Sequence, residues 1–263
     1  MKSLSLRKPA VAGTFYPGSR EGLSALVHEY LEHAQPSSVV PKALIAPHAG
    51  YIYSGPVAGS AFATIDKMAD RVNRVILLGP SHRVSFQGLA MSTADRFSTP
   101  LGEVPLDTEA RDLVLRFPQV VELDKAHTFE HSLEVELPFL QTVLRSFLLL
   151  PLVVGDATYE EVSEVLDAVW GGEETLIVIS SDLSHFLSYE SACELDEKTR
   201  LAIEALQPED LSFNQACGRI PIGGLLLSAR KRGLQVTTLD MRNSGDTAGP
   251  RDEVVGYGAY AIG

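Results

Sequence analysis

Three apolar runs in this 263-residue chain end the same way, and each ending delivers an imidazole. "ALIA" (43–46) runs into "PHAGY", which supplies His48. "RVILLG" (74–79) runs into "PSH", which supplies His82. "TLIVIS" (175–180) runs into "SDLSH", which supplies Asp182 and His185. Imidazole is the commonest metal-binding side chain and the usual general base near neutral pH. A single histidine in such a place can simply cap its strand by bonding a backbone carbonyl. Three at equivalent positions point instead to one crevice, because the carboxyl ends of strands in open α/β sheets border the ligand site. Ala49, Gly50 and Gly79 beside these motifs would let backbone approach a ligand closely.

Two further groups of residues could take part in chemistry. "HTFEHSLEVE" (127–136) contains His127, Glu130 and His131 in the pattern H-x-x-E-H, an inverted zinc-peptidase signature that needs a helix beneath it. Ser132, just before Leu133 and Val135, reads as the N-cap of the next helix, which would leave both histidines ahead of the helix and weaken the peptidase reading. His131 and Glu134 could still face the crevice. Cys217 lies in "ACGRIPIGG", a turn between two expected helices, where Arg219 could lower a thiol pKa and Pro221 could open a helix. Cys193 falls in an amphipathic stretch and reads as packing; His28 and His33 read as surface residues. The chain has no G-x-G-x-x-G, Walker or G-x-S-x-G motif.

The elements that must position these groups alternate along the chain. Residues 20–34 form an expected helix capped by Ser19, 56–66 a small-residue helix, and 107–117 a short helix headed by Asp107. A helix is expected over 132–146, kinked at Pro138. The strand at 147–155 contains Pro151, which argues for an edge or bulged position. Thr158 and Glu161 form a capping box. Helices over 188–206, 208–216 and 222–232 and strands over 86–92, 234–241 and 253–263 complete the pattern. Such alternation predicts an α/β fold, a three-layer α/β/α sandwich around a mostly parallel or mixed sheet. No linker divides residues 1–263, so one domain is expected.

Composition narrows the function. A formal net charge of −12 argues against nucleic-acid binding, which needs clustered Lys and Arg. No apolar run is long enough to span a membrane, the N-terminus lacks a signal-peptide core, and two cysteines give no disulfide framework. A cytoplasmic protein is expected.

The blocks "AGTFYPG", "APHAGYIYSG", "LLGPSH", "TPLG", "EHSLEVELPF", "SSDLSH" and "CGRIPIG" together resemble the Memo family, from about Arg7 to the C-terminus. Prokaryotic members are linked to an AMMECR-type protein and a radical-SAM enzyme in the AmmeMemoRadiSam system. The family is similar in fold to class III extradiol (LigB-type) dioxygenases, non-haem iron enzymes. The resemblance implies a metal held by His48, His82 and Cys217, with Asp182 and His185 beside it. His185 would serve as acid/base and His131 would contact substrate or bound oxygen. Where the dioxygenases use a carboxylate, this chain offers the Cys217 thiol. A soft thiolate shifts preference toward copper, zinc or a differently poised iron, and is itself open to oxidation.

Three functions follow as expectations. The leading one is a metal-dependent, dioxygenase-like oxidoreductase with a single iron or copper ion, Asp182 orienting His185 for proton transfer. The second is a non-catalytic module binding a peptide or small molecule in the same crevice, as proposed for eukaryotic members with phosphorylated peptides. The third is a zinc-dependent hydrolase.

Overall fold

A computed structural model describes residues 5–263. The strands are β1 (Leu6–Arg7), β2 (Ala43–Ala46), β3 (Arg74–Pro80), β4 (Leu89–Met91), β5 (Arg96–Thr99), β6 (Gly102–Pro105), β7 (Val120–Glu122), β8 (Leu148–Val154), β9 (Thr175–Ser180), β10 (His185–Leu187), β11 (Val236–Asn243) and β12 (Val254–Ile262). The helices are α1 (Arg20–Glu32), α2 (Tyr51–Phe62), α3 (Thr108–Val114), α4 (Asp124–Thr128), α5 (Leu137–Val143), α6 (Tyr159–Ala168), α7 (Tyr189–Glu204) and α8 (Arg219–Lys231).

One sheet carries the fold, in the order β10-β12-β2-β9-β3-β8-β4-β7, with β11 also paired to β12. Its centre, β2-β9-β3-β8, is parallel; β12 and β4 join antiparallel on either side. Successive side chains on a strand point to opposite faces, and both faces here are apolar. Leu44, Val75, Leu77, Leu176 and Val178 pack with α1, α2 and α5 residues such as Val27, Phe62 and Phe139. Ile45, Ile76, Leu78, Ile177 and Ile179 pack with α6 and α8 residues such as Val165 and Leu225. The result is the expected three-layer α/β/α arrangement around a mixed sheet. Because both faces are covered, the central strands are continuous hydrophobic runs rather than alternating ones.

Local signals held where the bonding is local. Ser19, Asp107 and Thr158 cap their helices, and Thr158 and Glu161 form the reciprocal box. Other expectations need correction. The helix expected over 132–146 is a 3₁₀ turn, Glu134–Glu136, followed by the short α5. Pro138 lies in the first turn of α5, where its missing N–H costs nothing, so no kink arises. The helix expected over 208–216 shrinks to a 3₁₀ turn at Pro208–Asp210. Cys193 is exposed on α7 rather than packed.

Strand β8 lies inside the sheet despite Pro151. Its neighbour β3 pairs along the full length of β8, including Leu77 with Pro151, whereas β4 reaches only Val153 and Val154. The Leu148 N–H donates toward the β3 side, to Asn73, and the Leu149 carbonyl accepts from Asp107 on the other side. Alternation therefore turns Pro151 toward the side where no strand pairs with it, and its missing donor is not needed. A small three-stranded sheet, β1-β5-β6, lies outside the expected pattern.

Candidate metal centre

The carboxyl ends of β2, β3 and β9 lie side by side because these strands are adjacent and parallel. Their three loops deliver His48, His82 and the Asp182–His185 segment to one rim of the sheet. His131 arrives from the loop between α4 and the Glu134–Glu136 turn. One ligand atom each from His48, His82 and His131 lies within 4.8 Å of the others, so the three imidazoles can address a common cation. Their ring centroids are 5.1, 5.5 and 4.7 Å apart, with the His82 and His131 planes inclined by only 20°. Phe15 meets the His131 ring edge-on at 4.8 Å.

Each imidazole is oriented from behind. His48 is fully buried; its Nδ1 lies 2.7 Å from Ser180 Oγ, and its backbone N–H donates to Asp182 Oδ1 at 2.8 Å. His82 Nδ1 donates to Glu130 Oε1 at 2.9 Å, and the His82 amide donates to Glu130 Oε2 at 2.6 Å. The same Glu130 accepts the amides of His131 and Ser132. Both rings are engaged through Nδ1, which leaves Nε2 as the nitrogen turned to the site, toward the Cys217 sulfur in the case of His48, the arrangement usual for metal-binding histidines.

Burial keeps two of the imidazoles, His48 and His131, neutral. Burial drives His48 well below its usual range, helped by the neighbouring His82, His131 and His185. Burial likewise brings His131 to about 4, against an opposing pull from Glu130. Burial alone would raise Glu130, but its hydrogen bonds and charge interaction with His82 and the Ser132 amide carry it down to about 2. Neutral imidazoles at His48 and His131 present lone pairs, and the Glu130 carboxylate behind His82 adds negative charge to the cluster, which fits a cation.

Cys217 adjoins this cluster. Its Sγ is 3.4 Å from His48 Nε2, with only long contacts to the Asp182 carbonyl and Ser181 Oγ, at 3.7 and 3.8 Å. The backbone before α8 fits closely here: a Cβ on Gly218 would stand 2.6 Å from Ser181 Cβ and 2.9 Å from the Ser180 carbonyl. The expectation that Arg219 lowers the thiol pKa does not hold. The Arg219 guanidinium donates to Tyr159 Oη at 2.6 Å, and burial pushes the Cys217 thiol up to about 12. The donor set therefore suits a soft or borderline cation, which would displace the thiol proton.

His185 lines a cavity of about 590 Å³ with His82, Cys217, Arg219, Phe186 and Phe213. Its Nδ1 bonds the Leu183 carbonyl at 2.8 Å. Asp182 is expected to orient His185; its carboxylate instead accepts the His48 and Ala49 amides, and burial raises its pKa against the pull of His185. His127 is elsewhere: it sits on α4, with Nε2 on the Ala90 carbonyl and its ring against Phe97. The H-x-x-E-H pair is thus split between two environments, and the peptidase reading loses its geometry. Glu134 also turns away from the crevice. It is buried against Arg7, the Ala10 and Val11 amides and Tyr16 Oη. Ser132 is not an N-cap; its Oγ donates to the Pro80 carbonyl.

Sequence reasoning missed the supporting residues Ser180, Glu136 and Phe15, and saw Glu130 only as part of a peptidase motif. A signal was present. Glu130, Glu134 and Glu136 are interleaved with Leu133, Val135 and Leu137, so they cannot all share one solvent face of a helix.

Comparison with known proteins gives the family. The sequence profile described as "Memo-like protein" matches residues 7–261. A "MEMO1 family protein" of Aquifex aeolicus (strain VF5) is 38% identical over 265 residues, covering 97% of this chain and 98% of the relative. One from Aeropyrum pernix is 35% identical over 284 residues, covering 98% of this chain and 100% of the relative. Among solved structures, the uncharacterized protein JW3007 from Escherichia coli K12 is similar in fold, with a TM-score of 0.56 at 12% identity, covering 82% of this chain and 98% of that one. The match over nearly the whole length, to the profile and to both relatives, leads to one assignment: this chain belongs to the Memo family.

Proposed function

We propose that this protein is a metal-dependent oxidoreductase of the non-haem type, with iron or copper held by His48, His82 and Cys217. The observation that carries the reading is the convergence of imidazoles, oriented by Ser180 and Glu130, beside a buried thiol whose sulfur has only weak partners. His48 and His82 belong to any ligand set here. Cys217 is assigned the third position and His131 the substrate side. The reason is the chemistry of the thiol: its sulfur lies 3.4 Å from His48 Nε2 with only longer contacts otherwise, and it is the softest donor beside the two imidazoles. The metal, when bound, supplies redox chemistry and an open position for oxygen or a small ligand.

The chain's own residues do the rest. Glu130 and Ser180 hold the two imidazoles. His185, on the cavity wall, is placed to hand a proton to a bound molecule. His131, stacked on His82, is assigned contact with that molecule. The test is anaerobic titration of metal-depleted protein with Fe(II), Cu(I) and Zn(II), for the native sequence, His48→Ala and Cys217→Ala. One equivalent of Fe(II) or Cu(I), lost in both variants, together with a thiolate-to-metal band, supports the reading. Uptake unchanged in Cys217→Ala overturns the ligand set. Zinc alone in protein purified without added metal overturns the redox assignment in favour of a hydrolase.

A further inference from the structure

Glu136 has no role in the site so far described, yet it is fully buried one residue away from His48 through Ser180. Ser180 Oγ lies 2.7 Å from His48 Nδ1, 2.7 Å from Glu136 Oε1 and 2.6 Å from the Ser132 carbonyl oxygen. A hydroxyl has one proton and two lone pairs. The Ser132 carbonyl can only accept, so the Ser180 proton points there. Both remaining partners must then donate: His48 as Nδ1–H, and Glu136 as a carboxylic acid with its proton on Oε1. If Glu136 were ionised and took the Ser180 proton, two oxygens 2.6 Å apart, those of Ser180 and Ser132, would face each other with no hydrogen between them.

The other Glu136 oxygen points the same way. Oε2 is buried with no hydrogen-bond partner among the described residues. As half of a carboxylate it would be an unpaired buried charge; as the carbonyl of a neutral acid its cost is far smaller. The surroundings also oppose ionisation. Burial raises the Glu136 pKa well above its ordinary range, and Asp182 adds to this against the Ser180 hydrogen bond.

We propose that Glu136 is a neutral carboxylic acid whose O–H donates to Ser180, and that Ser180, so supplied, holds His48 as the Nδ1–H tautomer with its Nε2 lone pair turned to the Cys217 side of the crevice. The link to metal binding rests on the function proposed above; the protonation pattern itself does not. Glu136 and Ser180 are then positioning residues for a ligand.

Infrared difference spectra between the native protein and Glu136→Gln test the acid directly, without metal, at about pH 8, where ordinary carboxyls are ionised. The native protein should show a protonated-carboxyl stretch that Glu136→Gln lacks; no such difference overturns the proposal. Nitrogen NMR of labelled histidine should find His48 protonated at Nδ1 in the native protein and in Glu136→Gln, whose amide N–H replaces the acid O–H. Nε2–H in the native protein overturns the proposal. Ser180→Ala should bind Co(II) about 10-fold more weakly, the scale of lost support behind a metal ligand, with Glu136→Gln near native. Native-like affinity in Ser180→Ala overturns the positioning role. A native protein that takes up no Co(II) refutes the metal reading, while the infrared and NMR results still decide the protonation pattern.

Discussion

His82 Nδ1 and Glu130 Oε1 stand 2.9 Å apart, and the same carboxylate also takes the His82 amide through its second oxygen. One buried side chain thus fixes the ring, the backbone and the tautomer of a candidate ligand, while its contacts to the His131 and Ser132 amides tie the β3 loop to the His131 loop. Replacing Glu130 with Gln keeps the shape but removes the charge that strengthens the Nδ1–H bond. Metal affinity should fall about 10- to 100-fold. Co(II) titration followed by absorbance checks this; affinity within twofold of native would show that His82 needs no carboxylate.

His131→Ala separates the two ways of completing the centre. If His131 faces the bound molecule, the variant should retain one equivalent of metal with an affinity change below about 10-fold, while substrate or oxygen turnover is lost. Loss of metal comparable to that in His48→Ala would make His131 a ligand.

The buried pair of Arg7 and Glu134 anchors the segment that carries Phe15 to His131. Arg7 also donates to the carbonyls of His127 and Glu130. Arg7→Ala leaves Glu134 buried with only amide and phenol donors, and should cost about 3–5 kcal/mol. Urea denaturation measures the loss; a change under about 1 kcal/mol would mean that the Ala10 and Val11 amides and Tyr16 suffice.

Asp196 gives a pH-dependent stability. Its carboxylate accepts the Ser184 N–H at 3.0 Å, beside Gly256, where a Cβ would collide with it. Burial raises its pKa from 3.8 to about 6, against the pull of the Ser184 bonds and His185. The folded chain therefore holds a proton that the unfolded chain releases between those values. The contribution is favourable below 3.8 and is lost as pH rises through 6. Asp196→Asn, which cannot ionise, should gain stability relative to native on going from pH 4 to pH 8, by on the order of 2 kcal/mol. Paired melting curves at the two pH values check the sign; a difference independent of pH would place the Asp196 pKa near its ordinary value.

Gly218→Ala tests the packing that seats Cys217. The added methyl would press on Ser181 and on the Ser180 carbonyl, which belongs to a central strand and cannot retreat. A loss of about 1–3 kcal/mol is expected, with weakened metal uptake. Native stability in chemical denaturation would show that the turn can shift.

What the sequence alone determined was set by short-range chemistry and by period. The apolar runs at 43–46, 74–79 and 175–180 became parallel neighbours, and the histidines that follow them reached one rim, because strands buried on both faces read as continuous hydrophobic stretches. The caps at Ser19, Asp107 and Thr158 were legible because their bonds span only three residues. Tertiary structure decided the rest. Pro151 could sit inside the sheet because β4 stops short of it, and Arg219 was drawn off by Tyr159. His127 and His131, four residues apart, parted because one ring packs against Phe97 and the other against Phe15. The buried acids Glu130, Glu134 and Glu136 each found partners from distant strands or loops. A side chain's partner across the chain depends on packing that no local pattern encodes, and here that packing decides which nitrogen of each imidazole is free.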